Sequence, residues 1–112
     1  MSFADNIEYL MAHPGTVAVL VTSTTDSSLI MRGNISWRMA LGAVTDLMAA
    51  STEECASAVI GEHSILAETR DGQQCAVVYP TGHAASKVMR RMLRNAAGPK
   101  RTMRKVKAPA AC

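Results

Sequence analysis

The strongest pattern in the chain is a β-hairpin. Residues 17–22 read Val-Ala-Val-Leu-Val-Thr, a β-branched run whose two faces are both apolar, as in a strand that is covered on both sides. A stretch rich in turn residues follows at 24–28, and a second short strand is predicted at 29–32. Gly33 and Asn34 end this strand. We therefore expect the hairpin to lie at the centre of the fold.

A helix is predicted after the hairpin, from Trp37 to Ala50, with Ser36 as its N-cap. Its apolar residues recur at spacings of three and four, so they form one stripe that must pack against another element, most simply the hairpin. The stripe comprises Trp37, Ala40, Leu41, Val44, Leu47 and Met48.

Further helical segments are predicted on both sides of this unit. A short helix should precede it, because His13-Pro14-Gly15 stops an apolar stripe that begins near Phe3. After it, a helical continuation is predicted to about Ile60, where Gly61 terminates it.

A second hairpin is predicted from strands at 64–69 and 74–79. The turn between them contains Asp71-Gly72, a pair that tolerates the positive backbone angles of tight turns. From residue 83 onward the apolar spacing predicts an amphipathic helix that ends near Gly98-Pro99. Its apolar side would carry Ala85, Val88, Met89, Met92, Leu93 and Ala96.

Charge divides the chain into two parts. Residues 1–71 contain three basic and nine acidic side chains, a net charge of −6, and residues 72–112 contain nine basic and no acidic ones, a net charge of +9. The cationic part could bind phosphate groups or an acidic partner, lie on the acidic body, or simply be solvated. The candidate residues are Lys87, Arg90, Arg91, Arg94, Lys100, Arg101, Arg104, Lys105 and Lys107.

The remaining composition narrows the class of protein. The three cysteines are odd in number and widely spaced, so we expect neither a disulfide framework nor a zinc site, and a reducing compartment is the natural setting. No apolar run approaches the ~18 residues of a membrane span, and the N-terminus lacks the regions of a signal peptide. We therefore expect cytoplasmic or nuclear residence. The histidines have no patterned partners, so no catalytic site, metal or cofactor is predicted.

Several motifs over residues 7 to about 82 resemble the roadblock/LC7 family. They correspond to its leucine-rich first helix, its proline-glycine break, its β-branched strand, and a second strand that ends in glycine before the long helix. In size and pattern the chain is most similar to the Ragulator-subunit type of the family and next to the dynein light-chain type. The motifs are Ile7-x-x-Leu10-Met11-x-His13-Pro14-Gly15, Val17-Ala18-Val19-Leu20-Val21-Thr22, Leu29-Ile30-Met31-Arg32-Gly33-Asn34 and Glu68-x-x-Asp71-Gly72.

The resemblance implies an α/β, profilin-like fold with an antiparallel sheet of four to five strands and helices on its faces, in the order α-β-β-α-β-β-α. From the composition of the chain we predict that the single domain spans residues 1–97 and that residues 98–112 form a basic, disordered tail, which is not a general feature of the family. Members of the family continue after the second hairpin with a fifth strand, here at 82–89. The apolar spacing predicts a helix over the same residues, and the sequence leaves both alternatives open.

The resemblance also implies a non-enzymatic scaffold without a cofactor. Family members pair with themselves or with another roadblock protein, and they position a small GTPase or attach to a dynein intermediate chain. Pairing joins sheet edges and long helices, which would cover an exposed edge strand. The interface implied here comprises Leu29, Met31, Arg32, Trp37, Leu41, Val44 and Met48.

The cationic third supports a different function, that of a small nucleic-acid-binding protein, and contact with an anionic membrane is open to the same side chains. No aromatic side chain follows Tyr79, which argues against sequence-specific recognition of single strands by base stacking.

Overall fold

The chain folds around one antiparallel sheet of five strands. The computed structural model describes residue 3 and residues 6–23, 28–51, 54–70 and 72–97. The strands are arranged across the sheet in the order β2-β1-β5-β4-β3. In chain order the elements are α1 Ile7–Met11, β1 Ala18–Ser23, β2 Leu29–Gly33, a short 3-10 helix Ile35–Trp37, α2 Arg38–Ala50, β3 Cys55–Ile60, β4 His63–Arg70, β5 Gln73–Pro80 and α3 His83–Ala97.

The three inner strands are buried on both faces of the sheet. Val19 on β1 and Val77 on β5 point towards one helix layer, and Leu20 and Val78 point towards the other. The β-branched run in β1 was expected to be covered on both sides, and this expectation is confirmed. The sheet therefore forms the middle layer of a three-layer α/β/α domain.

The two helix layers differ in composition. On one face, α1 and α3 pack side by side, and Leu10, Met89 and Leu93 are fully buried between them and the sheet. On the other face, α2 covers the inner strands, with Leu41 and Met48 buried against them, and Trp37 of the 3-10 helix packs on the same cluster. The fold class predicted from the sequence is confirmed.

The helix predicted from residue 83 is confirmed, and the strand that the family pattern implied at 82–89 is wrong. Met89, Leu93 and Ala96 lie on one side of α3 and are buried, as the spacing of three and four requires. In this segment the helical period of the apolar residues therefore decides the structure.

Residues 55–60 form strand β3, so the predicted helical continuation to Ile60 is wrong. Ala58 pairs with Ile65 on β4, and Gly61, at φ 62°, reverses the chain. The segment Cys-Ala-Ser-Ala-Val-Ile has mostly small side chains and no clear period, so its local preference is weak, and hydrogen bonding to β4 determines its conformation. β3 supplies the fifth strand, and the observed order is α-β-β-α-β-β-β-α.

Two details of the central helix differ from the prediction. Ser36 does not cap α2, because it lies inside the 3-10 helix that precedes α2. The Asn34 side chain caps that 3-10 helix by accepting hydrogen bonds from the backbone N–H of Ser36 at 3.0 Å and from its hydroxyl at 2.7 Å, and α2 itself begins after Trp37 without a side-chain cap. Leu47 is 71% exposed, whereas Thr45 is buried. The inner face of α2 follows Leu41, Thr45 and Met48, and Leu47 falls on the flank of this stripe.

Both hairpins are confirmed by their strand registers. Thr22 pairs with Leu29 in the first hairpin, and Arg70 pairs with Gln73 in the second. Gly72 has φ 82°, as a tight turn requires. The first turn at 24–27 and the tail at 98–112 lie outside the described residues, so the domain boundary at residue 97 stays a prediction.

The two cysteines among the described residues are in different states. Cys75 is a free thiol and is buried. Cys55, at the start of β3, is disulfide-bonded, which the odd count and wide spacing of the cysteines did not predict. The spacing of cysteines along the chain does not show which thiols lie close enough in the folded protein to form a disulfide bond.

Alanine at Gly33 is expected to lower the free energy of unfolding by at least about 1–3 kcal/mol. Gly33 has φ 94°, and an added Cβ would overlap the carbonyl oxygen of Val17 and lie 2.8 Å from the Ala18 Cα. Equilibrium unfolding in urea, at one protein concentration for all variants, measures the change.

Gly42→Ala is the matched control. No atom lies within 4 Å of a Cβ built at Gly42, and alanine in a helix interior is favoured over glycine by about 0.5–1 kcal/mol. This variant should therefore be more stable than the wild type. A Gly33→Ala protein as stable as the wild type would contradict the role assigned to Gly33.

Candidate interaction site

The described residues offer little for catalysis. Among them, no three His, Cys, Asp or Glu side chains come together as a metal site would require. Burial, and secondly the nearby Glu68 carboxylate, raise the pKa of the Cys75 thiol far above its ordinary value. A neutral, buried thiol is a poor nucleophile. The remaining candidates are surfaces, and two of them are the outer edges of the sheet.

At the β3 edge, alternate residues direct their backbone groups away from β4. Thr69 donates its backbone N–H to the Glu54 carbonyl at 2.8 Å, which sets the alternation of the antiparallel ladder. Ala56, Ala58 and Ile60 therefore face β4. Ser57 and Val59 direct their N–H and C=O groups outward, where a further strand could pair with them.

At the β2 edge, the same alternation directs the backbone N–H and C=O groups of Leu29 and Met31 away from β1. It is set by the hydrogen bond from the Ser23 N–H to the Ser28 carbonyl, at 3.1 Å. The two edges differ in charge. β2 contains Arg32, whose Nε lies 3.0 Å from the Glu8 carboxylate, whereas β3 contains no charged residue. Charged side chains protect an edge strand from pairing, so β3 is the less protected edge.

The outer face of α2 is apolar and small. Met39 is 85% exposed and Leu47 is 71% exposed, and Ile35 just before the helix is 72% exposed. Ala43 and Ala50 lie between them on the exposed side. Arg38 and Asp46 are the charged residues of the helix. Large apolar side chains at this exposure, next to small ones, are typical of a surface that a partner covers.

The partner residues implied by the family resemblance do not share one surface. Leu41 and Met48 are buried in the chain's own core, so they are unavailable to a partner. Trp37 is half-buried, and its ring centroid lies 5.0 Å from that of His63. Met31 and Val44 pack on the core beside α2. The exposed members are Leu29 and Arg32 on β2.

Sequence reasoning missed the residues that the structure exposes instead. Val59 is 67% exposed on β3, and Met39 lies off the buried stripe of α2. The available signals were the apolar Val59-Ile60 pair directly before Gly61 and a methionine that the helical period did not include. Neither signal indicates exposure until the neighbouring elements are known.

The third surface is the outer side of α3. Lys87, Arg91 and Arg94 are exposed and Arg90 is half-buried, on the side opposite the buried Met89 and Leu93. These four predicted phosphate-binding residues therefore lie on one helix face. The other five, Lys100, Arg101, Arg104, Lys105 and Lys107, lie outside the described residues.

Within the described part of the chain, no helix combines the length and apolar character needed to cross a membrane. No protein-family model matches the chain. No curated protein matches it either.

A solved structure similar to this one is the crystal structure of a Roadblock/LC7 domain from Streptomyces avermitilis. The two share 12% sequence identity, the match covers 80% of this chain and 87% of the other, and the TM-score is 0.49. The class of this protein follows from its own topology. The described residues form a three-layer α/β/α domain with a five-stranded antiparallel sheet, in which β2 and β3 are the edge strands, and with outer helix faces of opposite character.

Thiol reactivity tests the assignment of Cys75. We expect the native protein to leave this thiol unlabelled by iodoacetamide at pH 8, and unfolding to expose it. Mass spectrometry of the labelled peptides distinguishes it from the other cysteines. Rapid labelling of Cys75 in the native state would show that the β4–β5 region is more open than the structure describes.

The raised pKa of Cys75 also predicts a loss of stability at alkaline pH. The ordinary thiol pKa is 9.0, so above about pH 9 the unfolded chain loses this proton while the folded chain keeps it. The free energy of unfolding should then fall by about 1.4 kcal/mol per pH unit for this one group. The stability of Cys75→Ala should lack this additional decrease above about pH 9. Identical slopes of the free energy of unfolding against pH for the two proteins would contradict the raised pKa of Cys75.

Proposed function

We propose that this protein is a non-enzymatic adaptor that pairs with a second copy of itself or with a roadblock-type protein. The observation that carries the proposal is the uncharged β3 edge, beyond which no further strand lies among the described residues, together with the apolar outer face of α2. α2 packs over β3 and β4 as well as the inner strands, so the two features belong to one half of the molecule.

Pairing through β3 would form a continuous sheet. A dyad perpendicular to the sheet brings two β3 strands together in antiparallel orientation, and the outward N–H and C=O groups of Ser57 and Val59 then find partners. The same dyad places the two α2 helices on one side of the joined sheet. Contact between them would bury Met39 and Leu47, the most exposed apolar side chains of α2.

This proposal revises the interface that the family resemblance implied. That interface used β2, where Arg32 is held by Glu8 and would have to be displaced or covered. It also used Leu41 and Met48, which the core already occupies. The β3 edge and the outer α2 face need no rearrangement of the chain.

Further partners follow from the resemblance to roadblock proteins. Such adaptors position a small GTPase or attach to a dynein intermediate chain, and we propose both as partners of the paired form.

Ser57→Pro is expected to weaken pairing. Proline removes the outward N–H of Ser57 but leaves the hydrogen bonds of β3 to β4, because those come from its neighbours. Each dimer loses two hydrogen bonds of about 1 kcal/mol each, so the dissociation constant should rise on the order of 30-fold. Analytical ultracentrifugation over a range of concentrations measures it, with circular dichroism as the test of folding.

Leu29→Pro is the matched control on the other edge. Leu29 is also an exposed edge residue whose N–H points outward, so this variant should pair like the wild type. If Leu29→Pro dissociates and Ser57→Pro does not, the interface lies at β2. If the wild type is monomeric at high concentration and captures no roadblock protein, the adaptor function is wrong.

A further inference from the structure

The outer face of α3 is a row of cations that have no carboxylate partner among the described residues. The ion pairs among the described residues are Arg32 with Glu8 and Arg70 with Glu68, and neither involves α3. Lys87, Arg91 and Arg94 follow one another along the exposed side, over about 10 Å at 1.5 Å per residue. α3 contains no aspartate or glutamate over its whole length, so no residue of the helix neutralises this positive charge.

Arg90 lies on the flank of the same row. Its Nε is buried and has no hydrogen-bond partner, although the residue as a whole is only half-buried. A buried, unpartnered guanidinium nitrogen is costly. This nitrogen is out of reach of a ligand outside the protein, so Arg90 contributes to the surface as a positive charge on the flank of the row.

The apolar side of α3 limits what that ligand can be. Met89, Leu93 and Ala96 are already buried in the core, so α3 cannot turn an apolar face into a bilayer as interfacial helices do. Val88 is the one large apolar residue of α3 among the exposed ones. Binding must therefore come from charge alone, which favours the ligand with the highest density of negative charge.

We propose that this cationic face, formed by Lys87, Arg90, Arg91 and Arg94, binds the phosphate backbone of double-stranded nucleic acid without sequence preference. A duplex carries one negative charge per about 1.7 Å of its axis, so about six phosphates lie beside a 10 Å row of cations. Three of the four cations are arginine, whose planar guanidinium can donate two hydrogen bonds to one phosphate. The face contains no aromatic side chain, so contact is made with the backbone and not with bases.

The pairing proposed above would double this surface, and this part of the inference rests on the proposed function. A dyad perpendicular to the joined sheet keeps both α3 helices on one side of it. α3 packs over β4 and β5, so the two α3 axes would lie about four strand spacings apart, or about 19 Å. Two rows of cations at this separation would contact one duplex at two places and bind it bivalently.

The first test is the salt dependence of binding by the full-length chain. A 30-base-pair DNA duplex of mixed sequence serves as the probe, with fluorescence anisotropy as the readout. Four phosphate contacts by one protomer predict a slope of about −3.6 in log K against log salt, or about a 150-fold loss of affinity between 50 and 200 mM salt, and bivalent binding by the paired form would make the slope steeper. Contacts by the tail would make the slope steeper.

Comparing the duplex affinity of Arg91→Gln with that of Arg38→Gln tests whether the phosphate contacts are made by α3. Both arginines are exposed, and they lie on opposite faces of the sheet. Arg91→Gln should weaken binding at every duplex sequence and reduce the slope by about 0.9, whereas Arg38→Gln should change neither. Equal effects of the two variants, or a flat salt dependence of the wild type, would overturn the proposal.

Competition with anionic vesicles distinguishes double-stranded nucleic acid from an anionic membrane as the ligand of this face. Vesicles of phosphatidylserine and phosphatidylcholine, at matched charge, should compete poorly with the duplex. Tighter binding to vesicles than to duplex, with the same loss in Arg91→Gln, would overturn the nucleic-acid assignment and make the surface a lipid site.

Ser57→Pro separates this inference from the proposed function. If both hold, the variant loses bivalent binding to the 30-base-pair duplex but keeps the Arg91-dependent slope. If pairing through β3 is wrong, Ser57→Pro binds like the wild type while Arg91→Gln still weakens binding. If only the cationic face is wrong, Ser57→Pro dissociates the dimer while Arg91→Gln and Arg38→Gln behave alike.

Discussion

The pairing of β1 with β5 is the interaction on which the other elements depend. These strands lie in the middle of the sheet, and their side chains are buried on both faces, as Val19 and Leu20 are on β1. Such a pair is stable only if both faces are covered, because each exposed apolar face would cost about 25 cal/mol per Å². The helices on each face follow from this requirement, and β2 and β4 flank the pair within the sheet.

The two helix layers meet this requirement in different ways, and the difference creates the two candidate surfaces. α1 and α3 share one face. The buried apolar side chains of α3, Met89, Leu93 and Ala96, all lie on its inner side, so its outer side is free to carry arginine and lysine. α2 covers the other face. The outer side of α2 exposes the apolar side chains of Met39 and Leu47 to solvent, and such exposure is unfavourable unless a partner covers them.

Because these surfaces lie on opposite faces of the sheet, they can act at the same time. Pairing through β3 and α2 leaves α3 exposed, and an anion on α3 does not reach α2. The charge on α3 also opposes any pairing that would bring two α3 helices into direct contact, since like charges repel. This repulsion favours pairing at the edge, where the α3 rows stay about four strand spacings apart.

Much of the fold could be predicted from the sequence because the signals are local. The β-branched run of β1, the Asp-Gly turn between β4 and β5, and the helical period of α3 each involve neighbouring residues. The division into an acidic body and a cationic C-terminal third is likewise a property of the sequence alone.

The candidate site was less predictable, because exposure is a property of the folded chain. Residues 55–60 are compatible with helix or strand, and only pairing with β4 makes them an edge. The apolar pattern of α2 did not distinguish Leu47, which faces outward, from Thr45, which faces the sheet. The sequence by itself thus determined most of the elements and the distribution of charge. The tertiary structure alone decided which edge is unprotected and which apolar side chains stay exposed, because both depend on contacts between residues far apart in the chain.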